Sequence, residues 1–346
     1  MPVNLDKPHL WKQDIITSVD MYNEWFVRFA PVTFREQRKI TAQQVKEAMQ
    51  RTGNMSNLTV DLLEQWPDSL SMLRMSTCPP LARDRLIGLA GVSKNLVNVM
   101  EKKHRLPPKM PVAKRREHLQ RIASLIMKMV DPDIFIWLGR QTPPSREEVD
   151  RASTVVADRL CGAFADPIIR NAQEQRQLAK IGEWLEGRGY KLIESGGRVA
   201  FDEMPPGTFS FRMNVPVRLR EGEELAKDSG EQDDELLATL SGPVADGEVP
   251  GVNIPVDTVI MPKAAQRGEL PLLIEAKSAG DFTNVNKRRK EEAKKMSQLR
   301  QSYGNEIRFA LFLCGYFDSG YLGYEAADGI DWVWEHRIDD LAQFGL

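Results

Sequence analysis

The chain has 346 residues, of which 42% are hydrophobic and 28% charged, and a formal net charge of −2. Such a length exceeds one small core and reads as two domains, while no apolar run reaches the roughly 18 residues that a membrane span needs. Three scattered cysteines (Cys78, Cys161, Cys314) and four histidines without CxxC spacing exclude a sequence-level zinc site, so any metal is expected to be a hard cation held by oxygen. The opening MPVNLDKPHLWKQD lacks the basic and apolar regions of a secretory signal, and a soluble, cytoplasmic protein with free thiols is expected.

Residues 1–150 read as a helical domain and a candidate DNA-binding unit. In ITSVDMYNEWFVRFA the residues Val19, Tyr22, Phe26 and Phe29 recur at helical spacing and predict a core stripe. Ala113 to Val130 repeats the pattern with Leu119, Ile122, Ile126 and Met129. Proline pairs at Pro79-Pro80, Pro107-Pro108 and Pro143-Pro144 punctuate these helices, and the last predicts the domain boundary. RLIGLAGVSKNLVNVMEK resembles a helix-turn-helix, with Gly91-Val92-Ser93 at the turn and Val97 opening the packing of the second helix. It also resembles a helix-hairpin-helix phosphate clamp, with Ser93 where the second glycine would stand, and a Gly-centred turn is equally common as plain scaffold. From Glu101 to Arg121 there are eight Lys or Arg against two acids, so Lys94, Lys102, Lys103 and Arg115 are candidates for phosphate contact.

Residues 151–346 change character. A long helix is predicted over Asp166 to Arg188, followed by TFSFRMNVPVRL, where Phe209, Phe211, Met213, Val215, Val217 and Leu219 alternate with polar residues as in a half-buried strand. Pro216 points to an edge or a bulge there. Glu221 to Glu248 holds ten acids against Lys227 and reads as a solvated loop, which masks the basic segments in the net charge. IPVDTVIMP and LPLLIEAKS then read as strands, Asn286 to Tyr303 as a charged helix and IRFALFLCG as an apolar strand. The order predicts an α/β fold around a mixed sheet flanked by helices.

The chemistry concentrates in the middle strands. Period-two geometry puts Glu275 and Lys277 on one face of LPLLIEAKS, opposite Leu272, Ile274 and Ala276. Ionised carboxylates in apolar surroundings cost several kcal/mol unless compensated, and a divalent cation shared by Asp257 and Glu275, with the Ala276 carbonyl as a third donor, removes that penalty. Phosphodiester hydrolysis needs such an ion to neutralise phosphoryl charge and provide hydroxide near neutral pH, with Lys277 placed to orient or deprotonate the attacking water. The competing reading of Glu275 and Lys277 is a solvated surface charge pair.

Asp257 followed by Glu275-Ala276-Lys277 resembles the motif of the PD-(D/E)XK nuclease superfamily, with the proline displaced by one residue to Pro255. The stretch IIRNAQEQRQLAKIGEWLEGRGYKL is similar to the helix that precedes the nuclease sheet, and it offers Glu174 as a further acid. Helical spacing puts Glu174 on one face with Leu178, Ile181 and Leu185, although Arg170, four residues earlier, is an alternative ion-pair partner. KSAGDFTNVNKRRKEEAKK looks like restriction enzymes, and the whole chain, with its WKQDI and VDMYNEWF opening, is similar to XamI-type restriction endonucleases.

The resemblance implies a PD-(D/E)XK-like nuclease domain over residues 151–346, Mg²⁺ as cofactor, double-stranded DNA as substrate, a homodimer with one active site per strand, and a cognate DNA methyltransferase as genetic partner. Ser278, Asn284, Asn286, Lys287 and Arg288 are then candidates for DNA contact, and Arg289, Lys290, Lys294 and Lys295 extend the basic face of the same helix. A plain solvated helix face explains the charges equally well. The rival functions are a repair or recombination nuclease on the same fold and a non-catalytic DNA-binding regulator.

Overall fold

The computed structural model describes residues 2–193, 199–218, 251–281 and 285–346, side chains excepted at 251, 252 and 285–288. The acidic segment 221–248 and Leu219 therefore lie outside the described residues. Two compact units emerge, one of residues 29–170 and one of residues 1–28 with 171–346. Each of the two long helices, α1 (Pro8–Arg51) and α7 (Arg146–Gly187), carries an internal proline, Pro31 and Pro167 respectively. Proline lacks the N–H of the helical ladder, so each interrupts one i→i−4 bond.

The unit of residues 29–170 is helical. Besides its shares of α1 and α7 it contains α2 (Val60–Gln65), α3 (Leu70–Met75), α4 (Arg83–Ala90), α5 (Lys94–Lys103) and α6 (Val112–Met129). Gly91 ends α4 in the left-handed conformation at φ 61°, where glycine has no Cβ to clash, and Ser93 starts α5. Leu86, Leu96, Val97 and Met100 from this helix pair pack with Leu119, Ile122 and Ile126 of α6 in one core. Of the stripe expected in α6, Leu119, Ile122 and Ile126 are buried and Met129 is partly so.

In the other unit, β1 (Lys191–Leu192), β2 (Thr208–Arg218), β3 (Gly251–Met261), β4 (Leu272–Ala279), β5 (Arg308–Gly315) and β6 (Asp331–Trp334) form a mixed sheet in chain order. The β2–β3 and β3–β4 pairs are antiparallel, while β1–β2, β4–β5 and β5–β6 are parallel. Helices α8 (Val285–Tyr303) and α9 (Ser319–Ala327) bury Met296, Leu299, Tyr321 and Leu322 against one face with Leu273, Leu311 and Leu313. On the other face Ile181 and Leu185 of α7 and Leu341 of a C-terminal 3₁₀ segment meet Ile274, Ala310 and Phe312. Burial on both faces explains why β4 and β5 read as nearly continuous apolar runs, and it makes the charges on β4 exceptional.

Two expectations change here. The stripe Val19, Tyr22, Phe26, Phe29 is not a uniform core face, because Tyr22 is buried but Phe26 is 41% exposed. The buried line in that part of α1 is Asp14, Ser18 and Tyr22. Asp14 pairs with Arg337 at 2.9 Å and Ser18 Oγ accepts the Gly315 N–H at 2.8 Å, so polar anchoring, not apolar spacing, orients the helix. Residues 1–28 belong with the sheet for the same kind of reason: the Asn4 and Leu5 N–H groups donate to Asp331 Oδ1 at 2.9 and 3.1 Å.

The second change is in β2, whose alternation does not keep to one face. Phe209 and Phe211 lie on the α7 side, whereas Met213, Val215 and Val217 lie on the α8 side. The switch occurs at Arg212, which has φ 51°. Pro216 falls where β1 no longer covers β2, as an edge position requires.

Candidate active site

Strand β3 pairs with β4 through Ile260↔Leu272, Val259↔Leu273 and Thr258↔Ile274. Beyond that rung the Asp257 side chain takes over, its Oδ2 accepting the Ala276 N–H at 2.8 Å. The two strands therefore place Asp257 beside Glu275 and Lys277 without requiring a further backbone rung. β4 continues alongside β5 as far as Ala279↔Gly315, which holds Glu275 and Lys277 on a rigid central strand.

Glu275 is 2% exposed, and its Oε1 receives Lys277 Nζ at 3.1 Å and Lys295 Nζ at 2.6 Å. Its Oε2 is buried with no hydrogen-bond partner among the described residues. Lys277 Nζ also lies 3.7 Å from Glu292 Oε1, an ion-pair distance and not a hydrogen bond. Burial pushes the Asp257 carboxyl up to about 8, helped by the negative charge of Glu275 and opposed by Lys277. Burial likewise raises Glu292 to about 7, with Lys277 acting against it. Glu275, Glu292 and Lys295 are thus buried together with Lys277 between the two carboxylates, and the part-buried Asp257 lies beside Glu275.

Sequence patterning does not single out Glu292, and Lys295 corrects an expectation. In the sequence Lys295 extends the outward basic face of its helix, yet it is 2% exposed and turned onto Glu275. The signal lies in the spacing: Glu292, Lys295, Met296 and Leu299 share one helical face, and Met296 and Leu299 are core residues. Two charges on an apolar stripe require an opposite charge inside.

Glu174 on α7 makes no direct bond to this pocket among the described residues, but its charge raises Asp257. Its Oε1 accepts Arg212 Nη2 at 2.7 Å, with the Glu174 side chain 31% exposed. One turn further, the buried Gln177 donates to the Phe312 carbonyl at 3.2 Å and accepts the Ser278 hydroxyl at 3.1 Å, so Ser278 is held by α7.

Of the other DNA-contact candidates, Asn284 lies outside the described residues, as do the side chains of Asn286, Lys287 and Arg288. Arg289 sits 3.7 Å over the Tyr324 ring. In the helical unit Lys94, Lys102 and Lys103 are exposed at the two ends of α5. Arg115 is half-buried and pairs with Glu64 at 3.1 Å.

The pocket suits a hard divalent cation. Glu275 Oε2 lacks a donor among the described residues, burial and the charge of Glu275 disfavour the ionised form of Asp257, and the donor set is all oxygen. Among the described residues no three His, Cys, Asp or Glu side chains converge as a metal cage. Two carboxylates and the Ala276 carbonyl would leave the remaining positions to water or substrate oxygen, as a small hard cation prefers.

Behind the pocket, burial pushes the wholly buried Glu325 of α9 up to about 9, assisted by the charge of Glu292. The folded chain keeps that proton while the unfolded chain releases it near 4.5, so stability from this group falls as pH rises between those values. Glu325→Gln, which does not titrate, is expected to match the wild type below pH 4.5 and to exceed its urea midpoint increasingly up to pH 9. A constant difference across that range would contradict the assignment.

Residues 53–334 match the family described as XamI restriction endonuclease. The chain is also 50% identical, over 343 residues covering 99% of both proteins, to the type II restriction enzyme SalI of Streptomyces albus G. No solved structure matches the chain.

Proposed function

Because the chain belongs to the XamI restriction endonuclease family and is a type II site-specific deoxyribonuclease, we propose that it hydrolyses both strands of a specific double-stranded DNA site with Mg²⁺ at Asp257, Glu275 and the Ala276 carbonyl. The observation that carries this reading is the junction of β3 and β4, where Asp257 meets the Ala276 N–H and Lys277 Nζ stands 3.1 Å from Glu275. That arrangement, on a mixed sheet with helices on both faces, favours the PD-(D/E)XK nuclease fold. Family membership also sets aside the non-catalytic regulator.

When bound, the ion neutralises charge on the phosphoryl oxygens and makes hydroxide available near neutral pH. Asp257 and Glu275 would provide its negative ligands. Lys277, 3.1 Å from Glu275 and less deeply buried than Lys295, is the group that would orient the attacking water and stabilise charge developing on the phosphate. Lys295 donates to the same Glu275 oxygen as Lys277, and Glu292 Oε1 lies 3.7 Å from the Lys277 ammonium, so both groups help to position the lysine.

In this reading the helical unit, with Lys94, Lys102 and Lys103, grips the DNA backbone. The two antiparallel strands of a duplex call for two copies of the site related by a two-fold axis, so the working enzyme is a homodimer. It acts in the cytoplasm, with a DNA methyltransferase encoded nearby to protect the host site. Incubation with plasmid DNA and Mg²⁺ should yield discrete double-strand fragments, and chelation should stop the reaction. Structure-selective nicking would favour a repair nuclease, and cleavage unaffected by chelation would remove the metal from the reading.

A further inference from the structure

Arg212 stands where β2 and β3 lose a rung. Phe211 pairs with Thr258 and Met213 with Val256, but the intervening Arg212 and Asp257 do not pair. Arg212 there adopts φ 51°, a left-handed conformation that strains a non-glycine residue, and the strand exchanges its faces at this point. Glycine would occupy this position without strain, so the side chain is what the position retains.

The side chain is 52% exposed, and its guanidinium meets Glu174, whose charge acts on Asp257. It is therefore a cation at the exposed rim of a buried acidic pocket. A DNA phosphate approaching that pocket meets the part-buried Asp257 with the buried charge of Glu275 beside it, and a positive group at the entrance favours its approach. A guanidinium offers the planar, paired donors that match phosphate oxygens.

We infer that Arg212 is a phosphate-binding residue: it holds Glu174 in the DNA-free protein and passes to a backbone phosphate oxygen beside the cleaved bond when the duplex docks. Glu174 is then released toward Asp257. The inference rests on the nuclease reading above, and Lys277→Ala serves as the control for that reading.

The test uses Arg212→Gly, which suits the positive φ, and Arg212→Asn, which also tolerates it. Both are expected to unfold at or above the wild-type temperature. Single-turnover cleavage of a plasmid fragment that the wild type cuts should fall about 100-fold. Binding of the same labelled fragment in Ca²⁺ should show a salt slope shallower by about one phosphate contact. Cleavage within threefold of wild type in either folded variant, or an unchanged salt slope, overturns the assignment. If Lys277→Ala cleaves at the wild-type rate, the reading of the Asp257, Glu275 and Lys277 site has itself failed; if Lys277→Ala is strongly slowed while Arg212→Gly is not, only the Arg212 inference falls.

Discussion

Lys277→Ala is expected to cleave plasmid DNA about 10³-fold more slowly than the wild-type chain, with little change in DNA affinity. Lys277 is 14% exposed and points toward Glu275, not outward, so its ammonium contributes little to gripping the backbone. On the proposed mechanism its removal deprives the pocket of the group that orients water and opposes charge on the phosphate. Glu275 retains Lys295 at 2.6 Å, so the carboxylate is not orphaned and the fold should survive. Single-turnover cleavage alongside fragment binding in Ca²⁺ separates the two effects. A parallel loss of binding and cleavage would show that Lys277 serves docking instead.

Asp257→Asn is expected to trade activity for stability, in a pH-dependent way. Asp257 holds its proton to about 8 in the folded chain but releases it near 3.8 when unfolded. Between those values the folded state binds the extra proton, so the wild type loses stability as pH rises through that window. Asn does not titrate and can still accept the Ala276 N–H. In chelator the variant should therefore equal the wild type below pH 3.8 and exceed it by a margin that grows toward pH 8, at about 1.4 kcal/mol for each unit of pH at most. Added Mg²⁺ should stabilise the wild type and leave the variant unmoved, because a ligand that binds only the folded site shifts unfolding by mass action. Cleavage should be lost. Urea midpoints across pH with and without Mg²⁺ decide the matter, and a variant less stable than the wild type at pH 8 in chelator would refute the buried-carboxylate account.

Both predictions depend on how charges are distributed inside the sheet unit. Lys277 and Lys295 touch the same oxygen of Glu275, and Glu292 lies within ion-pair distance of Lys277. Removing a carboxylate therefore relieves the pocket, while removing a lysine worsens its imbalance.

Part of this site and its scaffold is legible in the amino-acid sequence. Alternation along β4 places Glu275 and Lys277 on one face, because strand geometry has a strict period of two. The stripe in α6 and the Gly-centred turn between α4 and α5 follow from helical spacing and from glycine's freedom at positive φ. The α/β class follows from the order of apolar segments. Family resemblance carries the functional direction, because a short D-x-ExK pattern occurs by chance.

The tertiary structure decides what separation in sequence conceals. Whether Asp257 reaches β4 depends on strand pairing, and the decisive contact is a side chain bonding the Ala276 N–H in place of a rung. Lys295 reads as one more charge on a basic helix until α8 turns it onto Glu275. The Arg212 switch leaves no trace in a sequence that keeps alternating, since a single positive φ rotates the following residues to the other face. The local periods of strand and helix determine which residues share a face. Only long-range packing determines what that face meets, and the burial of charge, from which this site takes its chemistry, is a property of that meeting.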